Sequence, residues 1–250
     1  MEEIKFFYDH FTDEDICGLF SVGHIIYVIV FFALAFAAIW FSRKFDLLTV
    51  KKIHKWAAIT ITVLEVIKIS LRVIKNQWYD SWVPLYYCSL FIFAIWLSLS
   101  KNEFIKNIGF SYITMGGILA AFLFTLYPST SLAIFPIWHP AAIHSLVFHF
   151  TMLYVGSVFL ISGYYKPQKE HSLNYFILIT LACIPAYILN STLGTNCMFL
   201  RDCFGLPFLQ WIIDLSPLLY ALLAYIAQAI PMYWFNYMIY KIASKNRKGV

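Results

Sequence analysis

The chain has 250 residues, of which 61% are apolar, 20% aromatic and only 12% charged, with a mean hydropathy of +0.73. These values lie far from the soluble globular norm and describe a polytopic membrane protein. The formal charge of +5 would suit a nucleic-acid partner, but the basic residues cluster in short hydrophilic connections, so they read as a topology signal instead.

The N-terminus is acidic (Glu2, Glu3, Asp9, Asp13, Glu14, Asp15) where a cleavable leader would be basic, so the first apolar run is expected to remain as a span. Windows of about 20 apolar residues predict an all-α bundle of seven transmembrane helices, near 22–42, 55–74, 84–100, 108–127, 141–162, 173–190 and 217–240. The spans use up most of the chain, which predicts one integral membrane domain over 1–250 without a soluble catalytic module. The first connection (Arg43, Lys44, Lys51, Lys52, Lys55), the third (Lys101, Lys106), the fifth (Lys166, Lys169) and the tail (Lys241, Lys245, Arg247, Lys248) hold most of the basic residues. The opposite side holds Lys5, Lys75 and Arg201. Odd connections and the tail share a side only when the span count is odd, which supports seven. The N-terminus is then outside and the C-terminus cytoplasmic, in a multi-pass protein of the cell membrane.

Two outward connections are unusual. Tyr127 to His139 has no Lys, Arg, Asp or Glu and is stiffened by Pro128 and Pro136, with Pro140 placed where a helix start tolerates it. The segment 191–216 is too apolar for a solvated loop and is expected to fold back over the bundle mouth.

Ionisable groups within spans are functional candidates by default. Glu65, Lys68 and Arg72 fall within about 60° on one helix face. They read either as a structural ion-pair ladder or, with one carboxylate against two cations, as a site for a phosphate or carboxylate head group. Cys88 lies about one turn into span three. It is either a small buried apolar side chain or a nucleophile, and the second role needs a base or cation close by. His139, His144 and His149, three of the seven histidines, open span five. His144 and His149 sit about 140° apart around the helix and cannot chelate one ion as an i, i+4 pair would, so no metal site is expected. Gly116 and Gly117 read as a close helix contact. Asn190, Asp214, Gln228 and Asn236 read as interhelical hydrogen-bonding groups, Trp78 and Trp82 as interface anchors, and Cys197 and Cys203 as either a disulfide or apolar thiols. The last span has no interior lysine for a retinal Schiff base, and no cofactor is expected.

Three fragments together resemble the YwaF-like bacterial integral membrane proteins: Pro84-Leu-Tyr-Tyr-Cys88-Ser-Leu, the histidine span with Phe148-His149, and Gly194-Thr-Asn196-Cys-Met-Phe-Leu200. The resemblance covers about residues 54–240. That family is similar to a eukaryotic transmembrane acyltransferase of ether phospholipid remodelling and, more distantly, to androgen-induced threonine-type lipid hydrolases. The resemblance implies a nucleophile on one span and a histidine on another, here Cys88 and His149. Tyr86 stands where that family commonly has His, and Cys197 where it commonly has Tyr.

The resulting expectation is a lipid acyltransferase or acyl hydrolase in the outer half of the bundle, with membrane lipids as its partners. Cys88 would be the nucleophile and His149 the base, with His144 in support. Glu65, Lys68, Arg72, Tyr86 and Asn196 would face substrate. The alternative is a transporter or a lipid-binding or small-molecule-binding protein that uses the same polar cluster without covalent chemistry. The absence of paired interrupted helices and of internal repeats counts against it.

Overall fold

The computed structural model describes residues 16–74, 83–203 and 207–245. The acidic N-terminal residues to Asp15, Lys75, Trp78, Trp82, Arg247 and Lys248 lie outside the described residues, as do the side chains of Arg72 and Asn236. Among the described residues all regular structure is helical, with no strand. The helices are α1 (Val22–Ser42), α2 (Leu47–Ile74), α3 (Leu90–Leu97), α4 (Glu103–Ser111), α5 (Ile118–Leu126), α6 (Pro140–Ile161), α7 (His171–Leu193), α8 (Pro207–Leu215) and α9 (Pro217–Lys245). A π-helical segment, Tyr112–Gly117, joins α4 to α5, and a 3₁₀ turn, Cys197–Phe199, follows α7.

Among the described residues five helical runs are long and apolar enough to cross a membrane: Val22–Ser42, Glu103–Leu126, Pro140–Ile161, His171–Leu193 and Pro217–Phe235. The other two expected spans differ for local reasons. The second expected span lies within α2, which carries Glu65, Lys68 and Arg72 in its C-terminal half. The region 84–100 becomes α-helical only at Leu90, because Tyr86–Ser89 form a turn.

Helix ends follow their capping residues. The Ser21 hydroxyl accepts the His24 N–H at 3.1 Å, Asp46 Oδ1 accepts the Thr49 N–H at 2.8 Å, and Asn102 Oδ1 accepts from Phe104 and Ile105. His139 is the N-cap of α6, its Nδ1 accepting the Ala141 N–H at 3.2 Å with Pro140 in the first turn. Gly194 ends α7 with a left-handed φ of 73°, the conformation that glycine adopts most readily.

The chain divides into two compact units, 1–64 with 117–164, and 65–116 with 165–250. In the first, α6 packs on both α1 and α5. α1 is apolar nearly all round, and its buried residues are the stripe His24, Tyr27, Phe31 and Ala35, spaced one helical turn apart, with Ser42 at its end. The segment before α1 is tied to the 127–139 connection by Gly18 N–H to Leu132 O at 3.0 Å, beside a small core of Tyr27, Leu132 and Ala142.

In the second unit α7 packs on α4 and α9, and α3 packs on α4. The α3–α4 approach depends on Gly109, where an added Cβ would come within 2.3 Å of Ala94 O and 2.4 Å of Ser98 N. Both are backbone atoms that no rotamer change can move aside. Thr180 and Tyr225 join α7 to α9 by a 2.8 Å hydroxyl pair.

Gly109→Ala is therefore expected to push α3 off α4 and cost about 1–3 kcal/mol, measured as a lower unfolding midpoint in detergent; an unchanged midpoint would refute this contact. Hydrogen bonds from the Thr49 side chain and N–H hold the Asp46 carboxyl below its ordinary range. Its stabilisation of the α2 start is thus complete above that range and is lost as pH falls through the depressed value. Asp46→Ala should speed amide exchange at Thr49 near neutral pH, and the gap from the parent should narrow in acid.

Candidate functional site

Cys88 is half-buried in the turn that opens α3, its carbonyl accepting the Phe91 N–H at 3.1 Å. A thiol at a helix start meets the positive end of the helix dipole. Lys68 pairs with Glu65 at 2.5 Å, and the Glu65 residue is only 4% exposed. The first two members of the expected Glu65–Lys68–Arg72 series therefore form an ion pair, the arrangement a buried carboxylate requires.

The residue before Cys88 is held at both ends. The Tyr112 hydroxyl donates to the Tyr87 carbonyl. The Tyr87 hydroxyl lies 2.6 Å from that of Tyr175, which donates to the Gln228 carbonyl at 2.9 Å. A phenol has one proton, so Tyr87 must be the donor to Tyr175. The Tyr112 and Tyr175 rings are nearly parallel, with centroids 6.0 Å apart and 6° between planes. Gly116 closes this cluster, since a Cβ there would lie 2.8 Å from the Tyr175 ring and 3.0 Å from the Tyr87 hydroxyl. The glycine's contact is thus with tyrosine rings. It sits in the π-helical segment, a distortion frequent at functional sites.

The loop after α7 docks on the same stretch. Met198 N–H donates to Leu85 O at 2.9 Å, and the Phe199 ring lies 5.9 Å from that of Tyr86. Two of the three fragments that carry the family resemblance therefore meet at Leu85 and Tyr86, just before Cys88. The loop is held from within. Asn190 Oδ1 accepts from Cys197 N–H at 2.7 Å and from the Thr195 hydroxyl at 2.8 Å, while its Nδ2 donates to Cys197 O at 2.9 Å. Asn196 Oδ1 accepts from the N–H groups of Arg201 and Asp202, and Arg201 donates to Gly194 O. The geometry thus commits Asn196 to shaping the loop. Met198 and Phe199 take positive φ values of 52° and 56°, a conformation costly for side-chain-bearing residues and concentrated at functional sites. The Cys197 thiol donates to Thr195 and the Cys203 thiol to Gln210, each at 3.6 Å.

Gln228 Nε2 donates to Met198 O at 2.9 Å and to Ala224 O at 3.0 Å. Two carbonyl partners fix the amide orientation, leaving Oε1 buried with no hydrogen-bond partner among the described residues.

His144 and His149 belong to the other unit. His149 is 5% exposed and stacked on Phe124, with ring centroids 3.6 Å apart. Its Nδ1 lies 2.7 Å from Ser145 O. A carbonyl only accepts, so Nδ1 carries the proton and the neutral ring has its lone pair on Nε2. His144 is half-buried and stacks on Phe148 one turn along α6. The same unit holds two buried histidines that sequence reasoning did not select. His24 Nδ1 accepts the Phe20 N–H at 2.9 Å and its Nε2 faces Thr125 O at 3.2 Å, the opposite tautomer to His149. His54, fully buried, pairs with the Tyr164 hydroxyl at 3.3 Å.

Cys88, Tyr86, Lys68, Glu65 and Asn196 thus fall in one unit and the two histidines in the other. Sequence reasoning missed Tyr112, Tyr175 and the clamping role of Tyr87. Only Tyr87 carried a signal, its place beside Cys88 in the first resembling fragment.

The sequence model of the TMEM164 family matches residues 19–227, most of the chain and all three of those fragments. No curated protein and no solved structure matches.

Replacing Asn190 by Leu leaves the Cys197 N–H without its acceptor, at a cost of about 1–3 kcal/mol, and leaves the Cys197 carbonyl only the Leu200 N–H at 3.3 Å. The variant is expected to lose about 2–4 kcal/mol of stability, with faster exchange at the Cys197 and Met198 amides; parent-like exchange there would show that Asn190 does not hold the loop.

Proposed function

The chain belongs to the TMEM164 family, and from that premise we propose that it is a membrane-embedded lipid acyltransferase or acyl hydrolase with Cys88 as nucleophile and His149 as general base. The observation that carries this reading is the docking of the 194–200 loop onto the segment bearing Cys88, through Met198 N–H and Leu85 O. A thiol at a helix start and under a strained loop is placed for nucleophilic chemistry. The Nδ1 bond of His149 to Ser145 O places the lone pair of the neutral ring on Nε2, the tautomer a general base uses. The similarity to the YwaF-like proteins and to the ether-phospholipid acyltransferase supplies the substrate class.

In the proposed reaction His149 Nε2 takes the Cys88 proton as sulfur attacks the carbonyl carbon of a phospholipid ester. The tetrahedral adduct collapses with cleavage of the ester C–O bond, and the departing alcohol receives the proton from the imidazolium, leaving a thioester on Cys88. A lysolipid hydroxyl or water then gives its proton to Nε2 and attacks the thioester, and the released thiolate recovers that proton. Lys68 and Arg72 would hold the head-group phosphate, with Glu65 neutralising part of their charge, Tyr86 lining the substrate path and His144 supporting the base. The basic connections favour seven spans in the cell membrane with the N-terminus outside, which puts the chemistry in the outer leaflet.

Purified protein in vesicles containing a labelled phospholipid and a lysolipid should transfer or release the labelled acyl chain. Cys88→Ala is expected to abolish the acyl-protein adduct seen by mass spectrometry, and His149→Ala to slow turnover by about 10²–10⁴-fold. Folded variants that match the parent rate would sink the acyl-transfer reading. Binding of the labelled lipid without turnover by the parent would favour a transporter or lipid-binding protein.

A further inference from the structure

The geometry points to Tyr112 as a positioning residue for Cys88: by holding the Tyr87 carbonyl it fixes the Tyr87–Cys88 peptide, so that the Cys88 N–H becomes the donor to the acyl oxygen as that oxygen gains negative charge. The inference rests on the acyl-transfer reading. The Tyr87 carbonyl takes two donors, the Tyr112 hydroxyl and, at 3.3 Å, the Leu90 N–H. The peptide it belongs to is trans, so its N–H, which is that of Cys88, points away from those donors. Rotation of that peptide is blocked on both sides. Upstream, Leu85 O is held by Met198 N–H, and the Tyr87 side chain is held by Tyr175. Downstream, Cys88 O is engaged by Phe91 N–H.

Tyr112 in turn has little freedom. It is fully buried, stacked on Tyr175 and bounded by Gly116. Its hydroxyl is the part of this assembly that reaches the nucleophile's own peptide from outside the 83–97 segment. A donor that is already oriented costs no reorganisation when the charge develops, which is the condition for a large rate effect.

The test separates acyl transfer from plain thiol reactivity. With p-nitrophenyl acetate, the Cys88 sulfur bonds to the acyl carbon, the carbonyl electron pair moves to oxygen, and p-nitrophenolate departs with the bonding pair. The thiol proton passes to base or solvent. N-ethylmaleimide alkylates the same sulfur by adding it to a carbon–carbon double bond, with no acyl oxyanion formed. Both adducts are read at Cys88 by peptide mass spectrometry on the full chain in detergent.

Tyr112→Phe, which keeps the ring, is expected to slow acylation by about 10- to 100-fold and leave maleimide addition within about two-fold. Equal losses in both reactions would mean a merely structural role and would overturn the proposal, as would no loss in either. The parent protein supplies a second measurement. Exchanging the acyl oxygen of the ester for sulfur, a poorer hydrogen-bond acceptor, should slow acylation by about ten-fold or more relative to the same exchange with a free thiol in solution. Equal sensitivity in protein and free thiol overturns the Cys88 N–H role. A parent in which Cys88 takes maleimide but never an acyl group overturns the acyl-transfer reading itself, and the inference with it.

Discussion

Buried backbone that is not helical must find hydrogen bonds from somewhere other than its own ladder, and much of this protein's second unit follows from that constraint. The stretches around Leu85–Cys88 and Gly194–Cys203 both leave the helix. Their peptide groups are satisfied by side chains sent from helices: Asn190 from α7, Gln228 from α9 and Tyr112 from the π-helical segment. Each such bond contributes only about 1 kcal/mol net, but leaving its partner unmet costs about 1–3 kcal/mol. The network is consequently stronger as a constraint than as a source of stability. It can hold Met198 and Phe199 in left-handed conformations, at a cost of about 1–3 kcal/mol each, because relaxing either would break the Met198 bonds to Leu85 and Gln228.

The histidines show how the facing backbone group sets a ring's tautomer. His24 and His149 are both buried and both in the first unit, yet they hold opposite tautomers. Nδ1 of His24 accepts from a backbone N–H, so its Nε2 proton serves the end of α5 at Thr125 O. One ring nitrogen thus ties down the segment before α1, and the other joins α1 to that helix end, where carbonyls lack helical partners. His149 instead gives its Nδ1 proton to the carbonyl four residues back, a bond available to any histidine in a helix. That bond fixes the ring, and it leaves the lone pair on Nε2, as a base requires. Burial alone does not separate the two residues. The backbone group facing Nδ1 does.

Much of the architecture was legible because it depends on short-range rules. Five apolar runs became helices of spanning length, and His139 and Pro140 took the cap and first-turn positions that their chemistry favours. The departure at 84–100 arose because hydropathy reports apolar character and not hydrogen bonding, so Tyr86–Ser89 looked continuous with α3. The site was legible only in part. Cys88 and the 194–200 loop stood out as fragments, and the structure sets them side by side. Asn196 stood out through its place in the 194–200 fragment, but nothing in that pattern shows that its Oδ1 accepts from the Arg201 and Asp202 N–H groups. Tyr112 and Tyr175 gave no signal. They lie on different helices, 63 residues apart in a chain with seventeen tyrosines, and their relation exists only once α4 and α7 pack.

Gly116 shows why such a relation escapes pattern reading even when the residue itself is noticed. Two adjacent glycines in an apolar run suggest that a second helix backbone comes close. What comes close at Gly116 is three aromatic rings, one from its own π-helical segment and two from elsewhere in the unit. The missing side chain leaves room for hydroxyls, so the glycine acts on hydrogen bonding through the absence of volume. A methyl group there would meet Tyr112, Tyr175 and Tyr87 at once, and the rings could not all move without releasing either the Tyr87 carbonyl or the Tyr87 hydroxyl. A packing requirement at one glycine thereby becomes a constraint on the peptide that precedes Cys88.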